Sequence, residues 1–72
     1  MSALIDTPDT IIVGASLSRA RELQTTADYG VMSPADRAKL YRMAAAEYRA
    51  LTMLCNADAC DRRAAHYEGI AE

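Results

Sequence analysis

The chain has 72 residues and a formal net charge of −2, and about half of its residues are apolar. It contains no Phe or Trp, so it has few large apolar side chains from which to build a core. Chains of this size usually need a disulfide, a metal ion or a partner subunit for stability. The negative charge gives no support to nonspecific nucleic-acid binding. We therefore expect one small domain that associates with itself.

No part of the sequence is typical of a targeting or membrane segment. The first ten residues contain two Asp and no Lys or Arg, unlike a secretory signal peptide. No run approaches the roughly 20 apolar residues that cross a bilayer. We expect a cytoplasmic protein without membrane contact, in which Cys55 and Cys60 are reduced thiols.

The N-terminal part is predicted to contain a flexible tail, residues 1–7, and a first helix, residues 8–26. Thr7-Pro8-Asp9 supplies a cap, a proline and an acid, which together are typical of a helix start. An alternative comes from residues 10–16, which resemble the strand and glycine turn that open a dinucleotide-binding unit. The further glycines and the second strand of such a unit do not follow, so the helix is preferred.

The second helix is predicted over residues 33–55 and has the clearest start in the chain. Ser33 can cap free backbone N–H groups, and Pro34 has no N–H to leave unpaired. Asp36 lies where a carboxylate meets the positive end of the helix dipole. The following residues are strong helix formers, so a long helix is expected.

A third helix is predicted over residues 58–70, after a turn at Asn56-Ala57-Asp58. Such a short connection favours antiparallel neighbours. One continuous helix from Pro34 to Ile70 is the alternative, because the turn residues weaken a helix without preventing it. The predicted fold is all-α, a three-helix domain with a central antiparallel hairpin.

The second helix has an apolar face that covers about half of its circumference. A face this broad is wider than one antiparallel neighbour can cover. We expect it to form the core and an interface between subunits. It includes Leu40, Tyr41, Met43, Ala44, Tyr48, Leu51 and Leu54.

Glu47 interrupts this apolar face. An unpaired buried charge costs several kcal/mol, so Glu47 is expected to have a cationic partner. Arg63 on the third helix is the first choice, because the hairpin brings it close, and Arg19 on the first helix is the second. A structural ion pair is preferred over a catalytic carboxylate, because no neighbouring residues complete a reaction site.

The outer side of the second helix carries Lys39, Arg42 and Arg49. The simplest interpretation is a solvated charged face. The functional interpretation is a basic stripe that binds an anion or an acidic partner. Nucleic acid is not favoured, because the aromatic side chains that stack on single strands are missing from this side.

Cys55, Cys60 and His66 are not expected to form a site. Their spacing differs from that of structural zinc ligands, and a usual fourth ligand is missing. Cys60 and His66 lie on different sides of the predicted third helix, which excludes a nucleophile–base pair. Both cysteines are predicted to face the core. No catalytic, cofactor-binding or metal-binding residue is expected.

These patterns favour a small non-enzymatic interaction protein that works as a homodimer or larger oligomer. It would occupy a surface of a larger protein as an inhibitor, adaptor or assembly component. A bacterial or phage accessory protein would fit this description, although no residue indicates that origin. The second hypothesis is an anionic-ligand binder that holds a nucleotide or nucleic acid on the basic stripe.

Overall fold

The computed structural model describes residues 16–71, which form three α-helices and contain no strand. The helices are α1, Leu17–Tyr29, α2, Pro34–Ala50, and α3, Leu54–Ala71. The prediction of an all-α fold is confirmed for these residues. The tail predicted for residues 1–7, the first half of the helix predicted for residues 8–26, and most of the dinucleotide-like segment lie outside the described part. Among residues 16–71, no helix is long and apolar enough to cross a membrane.

α1 begins after the cap residue Ser16, which lies inside the helix predicted over residues 8–26. Ser16 has extended dihedral angles, φ −149° and ψ 148°, and its side-chain oxygen accepts a hydrogen bond from the N–H of Arg19 at 3.1 Å. Such a serine satisfies a backbone donor that the first helical turn leaves free. The uninterrupted helix predicted over residues 8–26 is therefore wrong at Ser16, and the described helix continues to Tyr29.

The loop between α1 and α2 is tightly closed. The N–H of Gly30 donates to the backbone oxygen of Thr26 at 2.8 Å. A Cβ atom on Gly30 would lie 2.5 Å from that oxygen, so a larger residue would force a rearrangement. Arg37 of α2 donates to the backbone oxygens of Ala27 and, at 3.0 Å, of Gly30. One α2 side chain thus pairs with carbonyl groups that a helix end otherwise leaves without partners.

α2 starts at the predicted place, but it ends early. Ser33 caps it by accepting a hydrogen bond from the N–H of Asp36 at 3.2 Å, and Pro34 is its first residue. The helix then ends at Ala50, and α3 starts at Leu54. The turn therefore occupies residues 51–53, and the helix bounds predicted as 33–55 and 58–70 are corrected. The alternative of one continuous helix is also wrong for this structure.

The end of α2 is closed by a left-handed residue. The N–H of Met53 donates to the carbonyl oxygen of Tyr48 at 2.8 Å, and that of Thr52 to the carbonyl oxygen of Arg49 at 2.9 Å. These bonds form the C-cap pattern in which the residue after the cap adopts positive φ. Glycine usually occupies that position, but here Thr52 does so, with φ 58°.

The core consists mainly of alanine. Seven of the ten buried residues of the described chain are Ala, and the other three are two tyrosines and a cysteine. Small side chains allow helix axes to approach closely. The buried residues are Ala20, Ala27, Ala38, Tyr41, Ala44, Ala45, Tyr48, Ala57, Cys60 and Ala64.

α2 lies between the other two helices, and both pack along it. Arg42 contacts Glu68, and Arg49 contacts Asp61. The later residue of α2 thus contacts the earlier residue of α3, so the two helices run in opposite directions. α2 and α3 therefore form an antiparallel hairpin. Tyr48, a buried α2 residue, reaches α1 by donating a hydrogen bond to the side-chain oxygen of Gln24 at 2.7 Å.

The broad apolar face of the second helix divides between core and surface. Tyr41, Ala44 and Tyr48 are buried, and Leu40 and Leu51 are half-buried. Met43 and Leu54 are 44% and 58% exposed. Leu54 leaves the predicted face because it belongs to α3, beyond the turn.

Candidate functional site

A cluster of five side chains joins the three helices at one end of the molecule. This Tyr41 cluster consists of Asp28, Arg37, Tyr41, Arg63 and Tyr67. The Tyr41 hydroxyl donates to Asp28, and the Tyr41 ring stacks on Tyr67 with 5.9 Å between ring centroids. Arg37 lies over the Tyr67 ring at 5.4 Å, and Arg63 lies over the Tyr41 ring at 6.0 Å. Every charged group in the cluster therefore faces an aromatic ring or an opposite charge.

The Tyr41 hydroxyl is kept protonated. Burial and the hydrogen bond to Asp28 raise the pKa of Tyr41 to about 12. A phenol with such a pKa neither gives up nor accepts a proton readily near neutral pH. Tyr41 thus contributes a hydrogen bond and a stacked ring to the cluster, rather than a group that transfers protons.

Glu47 is paired with α1 and not with α3. Its carboxylate accepts a hydrogen bond from Arg19 Nε at 3.2 Å and another from the N–H of Ser16 at 3.3 Å. Arg63, the preferred partner from the sequence, instead lies 3.9 Å from Asp28. That first choice is wrong because Glu47 faces the start of α1, and Arg19, the second choice, makes the pair. The Arg19 side chain is 52% exposed, so the pair is open to water.

Two of the three residues in the basic stripe are neutralised within the chain. Arg42 donates to Glu68 at 2.8 and 3.0 Å and to Asp61 at 3.0 Å. Arg49 donates to the second oxygen of Asp61 at 2.6 Å. These four residues are called the Arg42 network. The expectation of a basic stripe free to meet a ligand is therefore corrected for Arg42 and Arg49.

The Arg42 network changes the acidity of its members. Hydrogen bonds from Arg49 and Arg42 lower the pKa of Asp61, and the hydrogen bond from Arg42 lowers the pKa of Glu68. Hydrogen bonds to Glu68 and Asp61 raise the pKa of Arg42. These shifts favour the charged forms of Arg42, Asp61 and Glu68, as expected for a surface network that holds α3 against α2.

The sequence contained a signal for this network. The two arginines are seven residues apart on α2, and the two acids are seven residues apart on α3. In an antiparallel hairpin, matching spacings of opposite charge can form two pairs at once.

Next to the Arg42 network, α2 and the end of α3 form an open groove. Its surface is mainly apolar, and three charged side chains also contribute to its lining. It is lined by Ala35, Ala38, Lys39, Arg42, Met43, Glu68 and Ala71. Lys39 makes no ion pair within residues 16–71. This α2–α3 groove is a candidate site for contact with another macromolecule.

A second exposed apolar area lies at the loop between α1 and α2. Tyr29 is 82% exposed and Val31 is fully exposed, at 104%. The contacts of Gly30 with Thr26 close the loop tightly, and Tyr29 and Val31 remain outside it.

The two cysteines lie in different environments. Cys60 is buried, and burial raises the pKa of its thiol. Cys55 is exposed, so the prediction that both thiols face the core is wrong for Cys55. The reason is that Cys55 lies in the first turn of α3 and not on the face of α2. No group of side chains suited to a metal ion occurs within residues 16–71.

No protein-family model, curated protein or solved structure matches this chain. Function is therefore inferred from the geometry of residues 16–71. Most of the polar side chains described above are engaged in helix caps, ion pairs and tyrosine hydrogen bonds, whereas Lys39 and the mainly apolar α2–α3 groove remain open.

Proposed function

We propose that this chain is a small non-enzymatic interaction protein whose α2–α3 groove holds an amphipathic helix of a larger partner. The observation that supports the proposal is the composition of the groove. Ala35, Ala38, Met43 and Ala71 supply an apolar surface, and three charged side chains also contribute to its lining. Partner helices that bind in grooves use the same division, with apolar anchors inside and polar residues at the rim.

The groove favours an acidic partner segment. Lys39 is exposed and makes no ion pair among residues 16–71, so its ammonium group is available for a carboxylate. Met43 has a flexible and polarizable side chain that adapts to varied apolar anchors. The expected partner helix carries apolar residues three or four positions apart, with an Asp or Glu placed to reach Lys39.

The internal ion pairs weigh against the anionic-ligand hypothesis. A phosphate on the basic stripe would compete with Asp61 and Glu68 for Arg42 and Arg49. The two arginines and two carboxylates also cancel in formal charge, so little local potential remains to attract a nucleotide or nucleic acid.

Within this proposal, the protein acts in the cytoplasm as an inhibitor, adaptor or assembly component, and it self-associates. Exposed apolar side chains such as Met43 and Leu54 support self-association, because a small alanine-rich core gains stability from a second subunit.

Site-specific photo-crosslinking tests the groove. A crosslinking amino acid at Ala35 should capture a partner, whereas one at Thr25, on the exposed side of α1, should not. The captured protein is then purified and its affinity measured by calorimetry. Met43→Asp should weaken binding at least about tenfold, because it places a charge on the apolar anchor site. The matched surface control, Arg21→Glu on α1, should bind like the wild type.

Two results would contradict the proposal. One is equal capture from the groove and from α1. The other is a Met43→Asp variant that keeps its fold, judged by circular dichroism, and binds the purified partner with unchanged affinity.

A further inference from the structure

The α2–α3 turn contains no residue that favours a turn. Its three residues, at positions 51–53, are Leu, Thr and Met, without glycine, proline or asparagine. Thr52 nevertheless adopts the left-handed conformation, with φ 58°. A β-branched L-residue is strained there, because its Cβ atom approaches the backbone too closely. Packing of α3 on α2, and not local sequence preference, therefore imposes this turn.

The same residues are compatible with a straight helix. No glycine or proline occurs between Pro34 and Gly69, and Leu and Met are good helix formers. Leu51 has φ −90° and ψ 6°, in the bridge region that borders the helical one. A rotation of about 120° in φ at Thr52, from 58° to a helical value, would remove the strained dihedral and join α2 and α3 into one helix.

A straight helix would separate α3 from α2 of the same chain. The α2 surface that α3 covers includes Tyr41, which stacks on Tyr67, and the arginines of the Arg42 network. A second copy of the chain carries the α3 surface that fits there, so the same ion pairs and stacking would form between subunits.

We propose that this protein forms a domain-swapped dimer in which Thr52 is the hinge and each α3 packs on α2 of the other copy. Strained, short hinge loops favour such exchange, since both states share every contact except those of the loop. Dimer formation is favoured by the relief of strain at Thr52 in both chains, and it is opposed by the entropy that two chains lose when they associate. The closed hairpin therefore predominates in dilute solution, and the dimer forms as concentration rises. This inference does not depend on the partner proposed for the α2–α3 groove.

Replacing the hinge residue tests the proposal in the wild-type background. Thr52→Gly removes the strain from the closed form and makes the straight helix less favourable. Relief of left-handed strain favours the closed form by a factor of roughly ten in each chain. Because two chains form the dimer, its association constant should fall by about a hundredfold. Sedimentation equilibrium over a wide concentration range, after unfolding and refolding at each concentration, measures this constant. The control Thr25→Gly, on exposed α1, should leave it unchanged.

A charge-reversal mixing experiment identifies the exchange itself. One variant carries Arg42→Glu and Arg49→Glu, and the other carries Asp61→Lys and Glu68→Lys. Each closed hairpin then has like charges across the Arg42 network, whereas exchange between the two variants restores opposite charges at both surfaces. After mixing in urea and dilution, native mass spectrometry should show a one-to-one heterodimer and little of either homodimer.

Several results would overturn the proposal. A wild-type chain that stays monomeric at millimolar concentration is one, and a dimer unaffected by Thr52→Gly is another. The latter result would indicate a face-to-face dimer that leaves the turn closed. If the charge-reversed variants fold but never associate on mixing, exchange is also excluded. If they do not fold, the Thr52→Gly comparison alone decides.

Discussion

The Tyr41→Phe substitution tests whether the Tyr41 cluster stabilises the fold as its geometry indicates. The Tyr41 side chain is only 3% exposed, and its hydroxyl donates to Asp28. The pKa of Tyr41 is raised from 10.0 to about 12 in the folded chain. Between these values the folded state holds a proton that the unfolded state releases. Stability is therefore complete below about pH 10 and falls as the pH rises towards 12.

The size of this effect follows from the pKa shift. At about 1.4 kcal/mol per pKa unit, a shift of about two units corresponds to roughly 2–3 kcal/mol of lost stability across this range. Phenylalanine keeps the ring stacked on Tyr67 but has no hydroxyl. At pH 7 the variant should lose roughly 1–2 kcal/mol with the hydrogen bond. Because the variant cannot titrate here, its disadvantage should shrink with rising pH and reverse near about pH 11–12.

Urea unfolding followed by circular dichroism, from about pH 8 to pH 12, measures both proteins. Other groups that titrate in this range affect wild type and variant alike, so the difference between them reports on Tyr41. Tyr29→Phe is the control, because Tyr29 is 82% exposed and removal of its hydroxyl should leave stability unchanged. A wild-type advantage over Tyr41→Phe that stays constant across the range would refute the reasoning.

Three further predictions concern other contacts. Glu47→Ala should lower the free energy of unfolding at pH 7 by about 1 kcal/mol, because its ion pair is partly open to water, and urea unfolding in added salt should show a smaller loss. Arg42→Ala should weaken the acid sensitivity of urea unfolding, since the lowered pKa values of its two carboxylate partners favour folding above about pH 4 and this contribution is lost on acidification. Ala45→Leu should destabilise by roughly 1–3 kcal/mol, measured by thermal unfolding, whereas Ala46→Leu on the exposed side should change little.

Each of these predictions has a contrary outcome. A loss of roughly 3–5 kcal/mol in Glu47→Ala would mean that the carboxylate is enclosed, as a broken buried pair would be. Identical acid unfolding of Arg42→Ala and the wild type would show that the Arg42 network does not form in solution. Equal stability of Ala45→Leu and Ala46→Leu would contradict the close helix packing at Ala45.

The start of α2 could be predicted from sequence because its determinants are local. Ser33, Pro34 and Asp36 each act within one helical turn, and the structure places the cap at Ser33. The all-α class was also predictable, since helical periodicity and strong helix formers extend over most of the chain.

The turn between α2 and α3 could not be predicted, because nothing local specifies it. Asn56 and Asp58 carry the usual turn chemistry, yet both lie inside α3, and the break occurs at Thr52. The energy that fixes this position comes from packing along the whole hairpin. Because the turn lies earlier in the chain than predicted, Leu54 and Cys55 belong to α3, and both are exposed.

The partner of Glu47 depended on the placement of α1, which the sequence defined poorly. Moving the helix start to Ser16 puts Arg19 in the first turn of α1, beside Glu47. Arg63 is then free to approach Asp28, near the other end of α1. Long-range pairing of this kind depends on the relative register of helices, which periodicity alone does not give.

The alanine-rich core also has a consequence for the thermodynamics of this protein. Within residues 16–71, seven of the ten buried side chains are single methyl groups, so unfolding exposes little hydrocarbon for each peptide group that becomes hydrated. Apolar exposure raises the heat capacity and polar exposure lowers it. The heat-capacity change of unfolding should therefore lie below the usual value of about 12–15 cal/mol/K per residue. Stability would then vary only gently with temperature, and the protein would resist cold as well as moderate heat.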